Sequence, residues 1–210
     1  MTKPFENLTN TQVNKLYKLL GVHVYKYDKN EEILPTIRKN NIIGIIIQGS
    51  AKIECIEYNG NENLIENLQK DSVFGTHISG INSDDYQIIS KEKTEVVVID
   101  YSMLLNSKNQ NYIYFNIFLS NLFDIINIKL KEKNERIRIL EKKQIREKLL
   151  EYFDIEYKKN HSKVIQLPFS LKDLADYMAI NRSAMFRELK NLKEDKFIEV
   201  KNKKIILLNK

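Results

Sequence analysis

Cysteine is almost missing from this chain: its 210 residues include one, Cys55. A single thiol excludes an intrachain disulfide framework and a four-thiolate iron–sulfur cluster, and it suits a reducing compartment. Histidine is scarce as well, at three. The N-terminal half offers only His77 and a distant His23, so the two or three imidazoles and a carboxylate of a metal-dependent enzyme site are absent. No catalytic cluster replaces them, and neither enzyme activity nor a bound metal is expected. Arginine is missing between Arg38 and Arg136. Glycine (6) and proline (3) are few against 42% hydrophobic residues, so the chain can bury sizeable cores and shows no disordered tract. The start does not resemble a signal peptide, no apolar run approaches membrane-spanning length, and no repeat is visible. A cytoplasmic protein without a membrane partner is expected.

Positive charge is present in excess and is unevenly placed. The net charge is +6. Residues 142–210 carry 17 basic and 10 acidic side chains, a net +7, whereas residues 1–141 carry 17 and 18, a net −1. A basic C-terminal segment is the footprint of a domain that displaces counterions from a duplex.

That segment contains a distinctive stretch, Phe169 to Lys193. Ser170 is a candidate N-cap with Asp173 three residues on. Leu171, Leu174, Ala175 and Met178 give a first helix one buried face. Ala179, Ile180 and Asn181 form a turn. A second helix runs from Arg182 to about Glu194, burying Met185, Leu189 and Leu192 with Phe186 alongside. Its other face carries Arg182, Ser183, Arg187 and Lys190. This is the pattern of a helix-turn-helix whose second helix enters the major groove, where the arginine fork matches guanine O6 and N7. A helical hairpin with a solvated basic face would share the spacing. The C-terminal residues favour the helix-turn-helix: Phe197 to Val200 and Ile205 to Leu208 read as two strands around the turn Lys201-Asn202-Lys203-Lys204. Such a wing, with a basic tip at Lys203, suits a phosphate contact.

The residues Asp173-Leu-Ala, Asn181-Arg-Ser-Ala, Arg187-Glu-Leu, Leu192-Lys and Phe197-Ile succeed one another without a gap as in the winged helix of the CRP/FNR family of bacterial transcription regulators, which this module resembles. The resemblance implies that Arg182, Ser183 and Arg187 read bases and that Ser170 and Lys190 contact phosphate. Ala179 and Lys196 depart from it, since glycine is usual at the first position and frequent at the second.

The N-terminal part reads as β-rich. A helix is expected over residues 8–20, then strands at Val22–Tyr25, Ile33–Leu34, Ile42–Ile47, Ala51–Ile56, Leu64–Leu68, Ile88–Ile89 and Val96–Ile99, with a hairpin turn at Asn59-Gly60. Ile45 to Glu54 resembles a strand–glycine turn–strand of the same family's double-stranded β-helix, a cupin-like jelly roll, and Phe74-Gly75 resembles the start of its ligand cassette. There the chain departs. Gly75 is followed by Thr76-His77 rather than a ribose-holding glutamate, and Asp84-Asp85 fall near the family's phosphate-binding Arg-Ser. Two carboxylates repel a phosphate, so no cyclic-nucleotide binding is expected. Gly75, Thr76, His77 and Tyr86 are candidates for lining another ligand pocket. No cofactor is expected; a haem held through His23 or His77 is the one exception kept open.

From about Tyr112 to Leu140 neither glycine nor proline occurs. Phe115, Leu119, Leu122, Ile126, Leu130 and Ile137 step by threes and fours, and their multiples, as a dimerisation seam between parallel helices, beside a second apolar strip at Ile113, Ile117, Phe118, Ile125 and Ile128. Glu141 to Gln144 reads as a hinge, Ile145 to Phe153 as a helix, and Tyr157 to Lys163 as a polar loop. The expected α+β chain thus has a β-barrel sensor domain (1–110), a long dimerisation helix (111–141) and a winged helix-turn-helix (142–210). It reads as a homodimeric regulator on a palindromic DNA site, with RNA polymerase as a further partner that the resemblance allows. The alternative is a cupin-like small-molecule-binding protein whose helical module contacts another protein.

Overall fold

A computed structural model describes residues 3–34, 41–56, 62–75, 78, 86–167, 170–201 and 204–208. The turn at Asn59-Gly60, Thr76, His77, Asp84-Asp85 and the wing tip Asn202-Lys203 lie outside the described residues. The chain divides into two compact units, residues 1–128 and 129–210.

The N-terminal unit contains helix α1 (Asn10–Leu20), strands β1 (His23–Tyr27), β2 (Ile42–Gln48), β3 (Ala51–Ile56), β4 (Glu62–Leu68), β5 (Val73–Gly75), β6 (Tyr86–Ser90) and β7 (Thr94–Asp100), helix α2 (Tyr101–Leu105) and the first part of helix α3 (Ile113–Leu140). Thr9 caps α1 through a reciprocal box with Gln12. The strands form two antiparallel sheets, ordered β1-β7-β2-β5 and β4-β3-β6. Between them Ile46, Phe74, Val96 and Val98 meet Ala51, Ile53, Leu68 and Ile88. On the outer face of the four-stranded sheet, Ile43, Ile45, Val73, Val97 and Ile99 pack with Leu16 and Leu20 of α1 and with Phe115, Phe118, Leu122 and Ile125 of α3. β2 and β7 are buried on both faces, which is why they read as continuous apolar runs and not as alternating ones. Two packed antiparallel sheets with helices on one side fit the jelly-roll expectation within an α+β chain.

Two glycines are required by close approach. A Cβ on Gly44 would stand 2.2 Å from the Phe74 ring. Gly75 has φ +137°, and a Cβ there would stand 2.3 Å from the Ile42 carbonyl oxygen. The glycine of the supposed ligand cassette is therefore explained by β5 pairing with β2. Two strand expectations need correction. Val73–Gly75 is a strand that its brevity hid, and Ile33-Leu34 is a buried segment beside the single bridge Glu32–Ile89.

The C-terminal unit holds the end of α3, helix α4 (Ile145–Asn160), strand β8 (Val164–Gln166), helices α5 (Leu171–Tyr177) and α6 (Arg182–Glu194), and strands β9 (Ile198–Lys201) and β10 (Lys204–Leu207). The strands form one sheet in the order β8-β10-β9. Its core joins Leu149, Tyr152 and Phe153 of α4, Leu174 and Ala175 of α5, Met185, Leu189 and Leu192 of α6, and Ile165, Ile198 and Ile205 of the sheet. The polar loop expected at Tyr157 to Lys163 is a correction: α4 continues to Asn160 and ends at His161 with φ +47°. Ion pairs Lys158–Asp154 (2.6 Å) and Lys159–Glu135 (2.5 Å) hold that polar turn in helix.

By length and composition α3 is apolar enough to cross a membrane. Its Phe115, Phe118, Leu122 and Ile125 are buried by packing onto the β unit.

Candidate nucleic-acid interface

The interface is built from α5, the turn after it and α6. Ser170 caps α5: its hydroxyl accepts from the Asp173 backbone N–H (3.2 Å) and donates to the Asp173 carboxylate (2.7 Å). The turn then reverses through Ala179 at φ +52°. It is closed by the Ile180 N–H donating to the Ala175 carbonyl at 3.0 Å. Asn181 caps α6, accepting from the Ala184 N–H at 3.1 Å. These caps fix where α6 begins, and so which side chains flank its first turn.

Met185, Leu189 and Leu192 bury one face of α6, and Arg182, Ser183, Phe186, Arg187 and Lys190 are exposed together on the opposite face. The expected reading residues are thus brought onto one surface. Phe186 is a correction: it does not join the buried stripe but stands one turn from both Arg182 and Lys190, with 49% of its surface exposed. The Arg182 Nη2 donates to both Asp176 carboxylate oxygens, at 2.9 and 3.2 Å. Lys190 lies 3.7 Å from Glu194, and among the described residues Arg187 has no ion pair. The hydroxyl of Ser170 is committed to its cap.

Three cations without a sequence motif hold this surface in place. Lys148 of α4 donates to the Met178 carbonyl (3.1 Å), and Arg136 of α3 donates to the Tyr177 carbonyl (3.2 Å) while its guanidinium lies 5.2 Å from the Tyr177 ring centre. Both cap carbonyls at the C-terminal end of α5, where cations are favoured. Arg146 of α4 pairs with Asp195 (2.6 Å) and with Glu188 of α6 (3.3 Å), and it lies 5.2 Å from the Phe197 ring centre. The hydrogen bond to Asp195, then the two nearby carboxylate charges, push its pKa above the ordinary arginine value. The only signal for such residues is their position three or four residues from core positions, which many surface cations share.

Of the β unit's ligand candidates, Gly75 and Tyr86 lie among the described residues, on strands of different sheets. Tyr86 opens β6, half-buried against the inter-sheet core; Gly75 is spent on strand pairing; His23 is exposed on β1. A cleft of about 420 Å³ in this unit is lined by Lys26, Tyr27, Asp28, Glu31, Gln48 and Lys93 among others, none of them a candidate. Among the described residues no group of three or more His, Cys, Asp or Glu is placed to hold a metal.

The dimerisation seam is partly corrected. Phe115 (0% exposed) and Leu122 (2%) lie inside the β unit's core, and Leu119 and Ile126 pack partly against it. Leu130 (55%) and Ile137 (51%) are exposed, and so is Phe123, seven residues before Leu130.

Two helices across a tight left-handed turn, closed by a three-stranded sheet and showing a cationic outer face, define the class: a winged helix-turn-helix DNA-binding domain. Residues 143–210 match the Crp-like helix-turn-helix domain. A protein of Porphyra purpurea, ycf28, named as an HTH-type transcriptional regulator, is 28% identical over 127 residues, or 58% of this chain and 52% of that protein. The matched part thus spans about half that relative's length. The whole fold is shared with a CooA mutant of Carboxydothermus hydrogenoformans (TM-score 0.61, 17% identity, 97% of this chain and 88% of that one). It is also shared with a cyclic nucleotide-binding domain containing protein of Listeria monocytogenes (TM-score 0.57, 20% identity, 94% and 98%). At these identities the likeness concerns the fold.

Proposed function

We propose that the chain is a homodimeric, sequence-specific DNA-binding transcription regulator. The observation that carries this reading is the single face of α6 on which Arg182, Ser183, Phe186, Arg187 and Lys190 stand exposed, opposite the buried Met185, Leu189 and Leu192, within a Crp-like domain. In this reading α6 lies in the major groove. Arg182 and Arg187 offer forks to guanine edges, Phe186 offers an apolar contact to a thymine methyl, and Lys190 and Lys203 reach phosphates, while the Ser170 hydroxyl stays with its cap. Two copies paired along α3, within residues 111–141, would present their α6 helices about 34 Å apart on a palindromic site. The sensor domain, residues 1–110, would sense a small-molecule, redox or gas signal and bias the arrangement of α3 and residues 141–144.

The experiment is a mobility-shift titration of the full chain on a duplex enriched from a randomised library. Arg187→Ala is expected to cost about 1–3 kcal/mol and to relax preference at one base pair of each half-site. Unchanged binding by Arg187→Ala and by Arg182→Ala would remove α6 from the groove.

A further inference from the structure

We propose that Asp176 is a specificity-determining positioning residue, whose carboxylate holds the Arg182 guanidinium in the orientation that reads a base edge and weakens binding to non-cognate DNA. This rests on the DNA-reading role of α6.

Asp176 sits in the last turn of α5, and Arg182 is the first residue of α6. The two carboxylate oxygens stand 2.9 and 3.2 Å from one guanidinium nitrogen, Nη2. The remaining donors, on Nη1 and Nε, are left to a base. A guanidinium tethered at one corner loses rotamer freedom before DNA arrives, so less is lost when it binds.

Among the described residues Arg182 is the one side-chain partner given for the Asp176 carboxylate. The turn uses the Asp176 backbone carbonyl, which accepts from the Ala179 N–H at 3.1 Å, and not the side chain. A negative charge in the last turn of a helix opposes the macrodipole. Both partners are about half exposed, so the pair adds little to folding stability. Against a duplex the balance changes. Groove walls exclude water and strengthen the pair, while a carboxylate near phosphates is repelled. On the correct base pair, a held Arg182 offsets that repulsion with its base contact. On other sequences the repulsion stands alone.

The test uses the full chain and a duplex selected by the wild-type protein from a randomised library. The base pair read by Arg182 is the one whose substitution weakens wild-type binding but not Arg182→Ala. Asp176→Ala is expected to lower discrimination at that base pair on the order of fivefold. It should also raise affinity for an unrelated duplex about two- to threefold at low salt. Asp176→Glu should recover most of the discrimination, and thermal unfolding should match wild type throughout. On the Arg182→Ala background, Asp176→Ala should change unrelated-duplex affinity alone. Full discrimination by Asp176→Ala, or an equal loss at every base pair, would overturn the proposal while leaving α6 as the reader. Failure of wild-type protein to enrich any sequence would instead overturn the DNA-reading role, and this proposal with it.

Discussion

Ala179 and Lys196 hold backbone conformations that their side chains disfavour. Ala179 has φ +52° between α5 and α6, and Lys196 has φ +58° before β9. Each reversal is closed by a backbone bond, Ile180 N–H to the Ala175 carbonyl at 3.0 Å and Phe197 N–H to the Leu192 carbonyl at 2.9 Å. A left-handed conformation costs a residue with a Cβ roughly 1–2 kcal/mol, of which glycine's extra chain entropy returns about half. Ala179→Gly should therefore stabilise the C-terminal unit by about 0.5–1 kcal/mol, read as a higher urea midpoint at unchanged slope. Lys196→Gly should do the same. A lower midpoint in both would show that these turns are not left-handed. These are the two places where the CRP/FNR pattern favours glycine, so position in the pattern disclosed the backbone geometry although the residue type did not. Phe186 was less legible. An apolar residue next to a buried Met185 reads as core, and only its angle on α6, a full turn from Arg182 and Lys190, puts it outside.

Among the elements, those with caps and strong periodicity were legible. The limits of α6 are set by Asn181 and by the last buried residue, Leu192; Ser170 marks the start of α5. Doubly buried β2 and β7 declared themselves through β-branched runs, broken in β2 only by Gly44. The three-residue strands β5 and β8 were too short to carry a period. The tail of α4 was hidden because, beyond Tyr157, which packs on the core, it holds only polar residues tied by ion pairs. Arg146 was invisible for a related reason: its three partners, Glu188, Asp195 and Phe197, come from α6 and from the segment entering the wing. Arg146→Ala leaves the Glu188 and Asp195 carboxylates side by side without their cation and uncovers the Phe197 ring. Amide exchange in β9 and in the last turns of α6 is expected to quicken relative to α4, and Arg146→Lys to restore it only in part, because an ammonium cannot engage both carboxylates in a planar fork. Unchanged exchange in Arg146→Ala would mean that the apolar core alone positions the wing.

For the whole molecule, the question is which side of α3 meets another copy. Apolar spacing alone could not separate a face buried in the chain's own β unit from one left for a partner, since Phe115 and Leu130 obey the same periodicity. Burial separates them. Phe123, Leu130 and Ile137 recur every seven residues and are exposed, with Ile126 and Leu140 three residues after the first and the last, as a coiled-coil seam requires. Leu122 points into the β core. Aspartate at the two kinds of position should therefore have opposite consequences. Leu122→Asp buries an unpaired charge at a cost of several kcal/mol, and the N-terminal unit should lose its cooperative unfolding transition. Leu130→Asp with Ile137→Asp should leave circular dichroism and that transition intact, while light scattering shows the mass falling from about twice 24.8 kDa to 24.8 kDa. Affinity for a palindromic duplex should fall with it toward that for a single half-site, because one α6 per complex forfeits the second set of groove contacts. A wild-type mass of 24.8 kDa, or a double variant that remains dimeric, would place the partner surface elsewhere than along Leu130 and Ile137.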